Sequence, residues 1–221
     1  MFSGELELIL LMIPVMLISL TVHEFSHGYI AYRLGDTTAK DQGRLTLNPL
    51  KHLDPVGTIM MIIARVGWAK PVPVNPYFFK DRKKGMMLVS VAGPLSNILM
   101  AFTGVFLFQA IANSFYASII GGNKPLMYIL DFLRLFFAVN LNLAIFNLLP
   151  VPPLDGSKIL SGVLPSEMYF RFMQHERTIG MVFLFIVIAF PGVLGSILGF
   201  FTNPIAESMI WISNKLIGLF V

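Results

Sequence analysis

No cysteine occurs in the 221 residues. Disulfides and thiolate metal ligands are therefore excluded, and any metal must be held by His, Asp or Glu. Charge is scarce as well: 13% of residues are Asp, Glu, Lys or Arg, against 56% hydrophobic. A water-soluble domain carries about 25% charged residues. With a mean hydropathy of +0.75, the composition points instead to an all-α polytopic membrane protein in a lipid bilayer. The net charge of +4 gives no sign of a nucleic-acid partner. No internal repeat or low-complexity linker divides the chain, so residues 1–221 read as one membrane domain. What is abundant is Phe, at 20, and Met, at 13. The plain reading of both is lipid-facing and helix-packing filler.

The first apolar run, Leu8 to Leu20, ends in Thr21-Val22-His23-Glu24-Phe25-Ser26-His27. Side chains four apart share one face of a helix. His23 and His27 therefore present two imidazoles to one point, and Glu24 lies about a sixth of a turn from His27. This is the H-E-x-x-H arrangement: two zinc ligands and a carboxylate able to take a proton from water. Chance alone would give this pattern in about two of a thousand chains of this composition. A structural histidine pair is the bland alternative. The setting argues against it, because ionisable groups at membrane depth cost roughly 2.5–3.5 kcal/mol each and are functional by default.

The first span is expected from about Leu8 to Leu34, with Pro14 a kink point. Its acidic start, Glu5 and Glu7, reads as a retained span, not a signal peptide. Leu8 to Val22 makes roughly 22 Å of helix, most of a roughly 30 Å hydrocarbon core. The His/Glu site is thus expected inside the membrane, toward the far end of this span. Gly35 to Gly85 is polar and rich in Lys and Arg. The positive-inside rule places it in the cytosol, the N-terminus outside, and the site opening toward the cytosol. Within it, Gly43 to Pro49 alternates like a short strand, a candidate to hold an unwound substrate by edge pairing. Val56 to Ala64 is too short to span and reads as re-entrant or interfacial. Lys70-Pro71-Val72-Pro73-Val74-Asn75-Pro76 reads as extended and proline-stiffened.

A second span is expected from about Met86 to Asn113, carrying Ala92-Gly93-Pro94-Leu95-Ser96-Asn97. Asn97 at membrane depth is equally read as one partner of an interhelical hydrogen bond. A third runs from about Pro125 to Leu149, with Asp131 and Arg134 spaced to pair. It ends in Asn147-Leu148-Leu149-Pro150-Val151-Pro152-Pro153-Leu154-Asp155-Gly156, where the prolines break the helix and Gly156 is expected to permit a sharp turn. Ile179 to Leu198 is a fourth span, interrupted by Pro191-Gly192. Ile205 to Val221 is a weaker fifth that also suits the interface. The third metal ligand lies among His52, Asp54, Asp155 and His175. Asp155 is best placed, at the predicted depth of His27, although an N-cap role also suits it.

At this point the chain resembles the site-2 proteases, intramembrane zinc metalloproteases. The resemblance rests on HEFSH at 23–27, AGPLSN at 92–97 and NLLPVPPLDG at 147–156, in order and in three successive spans. It covers about residues 8–165 and leaves the last two spans, about 179–221, outside the shared core. It implies Zn2+ held by His23, His27 and Asp155, with Glu24 as general base. It also implies substrate-binding roles for Asn97 and Asn147. The expected substrate is a single-span membrane protein, cut within or near its transmembrane segment. The chain looks like the compact prokaryotic form, located in the cell membrane, with oligomeric state left open.

A metal or proton-coupled carrier is the competing class, and an inactive scaffold a third. A carrier needs no general base at one fixed step from a ligand. Nor are the discontinuous helices of two matching halves found. A membrane-anchored protease with a soluble site would carry its H-E-x-x-H in a polar domain.

Overall fold

The computed structural model describes residues 2–57 and 69–219. Nine α-helices carry the argument: α1 (Phe2–Arg33), α2 (Thr38–Asp41), α3 (Arg82–Ser114), α4 (Tyr116–Ile120), α5 (Lys124–Leu148), α6 (Asp155–Val163), α7 (Ser166–Gln174), α8 (Glu176–Ala189) and α9 (Pro191–Ile217). Four helices are long and apolar enough to cross a membrane: Glu7–Arg33, Arg82–Ser114, Lys124–Leu148 and Gly192–Ile217. The pair α7 and α8, bent by 61°, makes a fifth candidate if it is one span. Pro14, Pro94 and Pro204 all lie inside helices, which long membrane helices tolerate.

The chain forms two compact units. The first comprises Met1–Ser19, Asn97–Ile145 and Gly192–Val221. Its core is Ala101, Val105, Leu141, Ile145 and Met209, with Ile98, Phe102, Phe137 and Leu198 packed on it. Gly104 lets α3 and α5 approach closely, since a Cβ there would meet Phe136 and the Phe137 backbone at 3.2 Å. The buried Asn97 donates from Nδ2 to Asn140 Oδ1 at 2.8 Å, and Asn140 Nδ2 donates to the Phe136 carbonyl at 2.8 Å. The expected interhelical hydrogen bond of Asn97 is therefore formed. The expected pairing of Asp131 with Arg134 is not: among the described residues they make no ion pair, and both line a cavity of about 420 Å³.

The second unit comprises Leu20–Ser96 and Phe146–Pro191. Ala31, Phe79 and Val89 form its apolar cluster, joined by Ile30, Leu34, Val74 and Met86. The loop after α1 is organised by buried polar groups. Asp36, fully buried, accepts the Thr38 N–H at 2.9 Å and the Asn75 N–H at 2.7 Å. Both Asn-Pro steps of this loop start a 3-10 turn, with Asn48 accepting from Leu50 N–H and Asn75 from Tyr77 N–H.

The strand expected over Gly43 to Pro49 does not form. Arg44 and Leu45 donate their N–H groups to the Ala39 carbonyl, His52 takes the Thr46 carbonyl, and Asn48 caps the turn that follows. Local partners thus satisfy the groups a ladder would need. Among the described residues the only β-pairing is the isolated bridge Leu53–Ala69. The re-entrant segment expected over Val56 to Ala64 lies, from residue 58 onward, outside the described residues.

The C-terminal spans also divide differently from expectation. The break falls at Phe190, and α9 runs unbroken from Pro191 through Pro204 to Ile217. Proline suits a first helical position, where its missing N–H would have had no partner.

Candidate active site

His23 and His27 lie one turn apart in α1, their rings edge-on at 84°. Their Nε2 atoms are 3.0 Å apart. Asp155 Oδ2 lies 3.1 Å from His23 Nε2 and 3.0 Å from His27 Nε2. All three residues are buried, at 6%, 8% and 9% exposure. Among the described residues this is the one His/Asp/Glu cluster whose donor atoms could share a metal ion.

The triangle suits zinc. Donors bonded at 2.0–2.1 Å to a tetrahedral ion stand about 3.3 Å apart, close to what these three atoms show. Two imidazole nitrogens and one carboxylate oxygen are a zinc donor set. The histidine tautomer fits too, because His27 Nδ1 donates to the Val89 carbonyl at 2.7 Å, which leaves Nε2 as the lone-pair atom.

Asp155 reaches this point through a tightly folded corner. The helix α5 ends at Leu148, Pro150, Pro152 and Pro153 carry the chain past it with a cis Pro152–Pro153 bond, and α6 begins at Asp155. Gly156 serves a different purpose from the expected turn. It is helical, and a Cβ on it would collide with the Leu148 and Leu149 carbonyls. Close backbone approach, not a left-handed conformation, requires glycine there.

Glu24 stands outside the triangle. It is half-buried, and its Oε2 accepts the Val72 N–H at 2.8 Å. Gly93 closes the site from α3: a Cβ there would overlap both imidazoles. Asn147 is half-buried near the end of α5, and Asn97 belongs to the first unit.

The other ligand candidates are engaged elsewhere. Buried His52 donates from Nε2 to the Thr46 carbonyl at 2.7 Å. Asp54 accepts the Gly57 N–H at 2.8 Å. Exposed His175 has Nδ1 on the Arg171 carbonyl at 3.1 Å. Sequence reasoning missed Val72, Val89 and Gly93. The last sits inside a quoted motif, and Val72 inside a noted proline segment. Val89 acts through its carbonyl, which no side-chain pattern reports.

The family model of peptidase family M50 matches residues 11–190. The chain belongs to this family. Peptidase family M50 comprises the site-2 proteases, so the resemblance read from the three motifs holds. The match runs past residue 165 and takes in α7 and α8, while α9 lies beyond it. The chain is 42% identical over 209 residues to a Bacillus subtilis protein named "Putative zinc metalloprotease YwhC", covering 93% of this chain and 86% of that one. It is 34% identical over 164 residues to "Putative zinc metalloprotease Rip2" of Mycolicibacterium smegmatis, covering 72% and 59%. "Zinc metalloprotease MJ0392" of Methanocaldococcus jannaschii is 28% identical over 177 residues, covering 80% and 41%. No solved structure matches. This M50 chain is an integral membrane zinc metallopeptidase, with Zn2+ as its cofactor.

Proposed function

We propose that this M50 peptidase cuts single-span membrane proteins within or near their transmembrane segments, in regulated intramembrane proteolysis. The observation that carries the reading is Glu24. It follows a ligand directly in α1, stays outside the donor triangle, and has one carboxylate oxygen held by the Val72 amide. That suits a general base beside a metal site and has no purpose in a simple ion relay.

His23, His27 and Asp155 hold the zinc, and their burial keeps them in register. When bound, zinc supplies Lewis-acid polarisation and lowers the pKa of water toward about 7. Glu24 takes a proton from water and delivers it to the leaving amine. Asn147 positions the substrate chain, which unwinds locally because helical carbonyls are masked by their own hydrogen bonds, whereas Asn97, fully buried and bonded to Asn140, serves helix packing. The basic loop between α1 and α3 faces the cytosol of a prokaryotic cell, with the N-terminus outside.

The test is Glu24→Gln in purified full-length protein. Gln keeps size and polarity but takes no proton at neutral pH. Cleavage of a panel of single-span proteins should fall by about 10²–10⁴-fold, with zinc content kept and uncut substrate retained in a complex. Zinc flux into vesicles by a wild type that cuts nothing in the panel would establish a carrier instead. Undiminished cleavage by E24Q would leave the class standing and remove Glu24 as base.

A further inference from the structure

Val72 stands between Pro71 and Pro73, neither of which has an N–H. The amide it offers to Glu24 is therefore the only backbone donor from 71 to 73. Its placement is set from the opposite side by Arg44. This residue is buried, and its Nη2 donates to the Lys70 carbonyl at 2.8 Å and the Pro71 carbonyl at 3.3 Å. Among the described residues no carboxylate lies within 4.0 Å of Arg44, and its Nε has no partner. Carbonyls, not a counter-ion, hold this buried charge, an arrangement that is expensive unless it does a task.

The covalent geometry shows the task. The Pro71 carbonyl and the Val72 N–H belong to one planar peptide unit. Arg44 grips the oxygen side of that plane, and Glu24 receives the hydrogen side. The plane cannot rotate without breaking one contact or the other. Neighbouring pins act further off: Lys70 N–H donates to the His52 carbonyl at 2.9 Å, and Asn75 N–H to Asp36 Oδ2 at 2.7 Å.

We propose that Arg44 is a positioning residue for Glu24, acting through the Pro71–Val72 peptide plane. It fixes one carboxylate oxygen on the Val72 amide and leaves the other to take the proton. This rests on the reading of Glu24 as general base. A cation holding the carbonyl end also polarises the amide toward the carboxylate.

Two measurements on the full-length protein test it. Arg44→Met keeps length but removes the donors. In R44M, kcat should fall about 10–100-fold, the scale of losing a group that orients a reacting one, with KM and zinc content unchanged. Arg44→Lys should recover most of that loss, because one ammonium can donate to both carbonyls. In an E24Q background, R44M should add no further loss, since both act through one group. A merely structural Arg44 would instead add its full loss there, which overturns the proposal. Hydrogen exchange of segment 71–73, which reports the Val72 amide alone, should be faster in R44M than in wild type. Equal exchange overturns the proposal whatever the kinetics. If R44M fails to fold, Arg44→Gln carries the same measurements. If wild type cuts nothing, the peptidase reading falls, and exchange alone decides whether Arg44 clamps the plane.

Discussion

His27 donates from Nδ1 to the Val89 carbonyl at 2.7 Å. A carbonyl only accepts, so the proton of a neutral imidazole sits on Nδ1 and the lone pair on Nε2. The Nε2 atom is the one that meets His23 and Asp155. The backbone of α3 thus orients a ligand of α1. The same stretch brings Gly93 against both rings.

Gly93→Ala tests this approach. The added methyl would overlap the His23 and His27 imidazoles, and backbone and rings must shift to admit it. Zinc affinity should drop by about 10–100-fold, the usual scale for disturbing groups that orient metal ligands. Helical content by circular dichroism should stay at wild-type level. Competition with a chromophoric chelator measures the affinity, and an unchanged value would mean the rings move aside freely.

Metal stoichiometry tests the ligand set. Purified wild type should carry about one zinc per chain, as a single three-ligand site requires. His23→Ala with His27→Ala should carry none, and Asp155→Ala should lose most of it. Full zinc content in D155A, measured by plasma emission, would return the third ligand to His52 or Asp54.

The parts of this site that were legible in the sequence are those fixed by local periodicity. His23 and His27 share a helix face by spacing alone. Asp155 was reachable because a charge after Pro152-Pro153 in an apolar chain demands a partner. The strand over Gly43 to Pro49 misled because alternation reports side chains, whereas the backbone there is satisfied by Ala39, His52 and the Asn48 cap. The last spans divide differently for a similar reason: Pro191 reads as an interruption within one span ending at Leu198, but it opens α9, which continues to Ile217. Arg44 and Val72 were invisible because their link runs through a peptide plane distant in sequence.

Orientation is tested by two cysteines in a chain that has none. Lys84 and Lys124 are exposed, and among the described residues neither side chain makes a hydrogen bond, so Lys84→Cys and Lys124→Cys disturb little. Lys84 is in the first turn of α3 and Lys124 opens α5, so nearly the whole of α3 separates them. An impermeant thiol reagent added to intact cells should label K124C, and K84C only after permeabilisation. Labelling of K84C in intact cells would reverse the orientation.

Zinc removal separates ligands from the base without any substrate. An ion that binds only the folded chain stabilises it by RT ln(1 + [L]/Kd), about 4 kcal/mol at a thousandfold excess over Kd. For a chain of this length that is on the order of 10 °C in Tm. Chelated wild type should melt lower than zinc-loaded protein by about this amount, and restored zinc should reverse it. E24Q should show the full zinc-dependent shift, because Glu24 lies outside the triangle and its Oε2 is held by Val72. D155A should show little or none, because the triangle has lost one corner. A full shift in D155A together with a lost shift in E24Q would exchange the roles assigned to these two carboxylates.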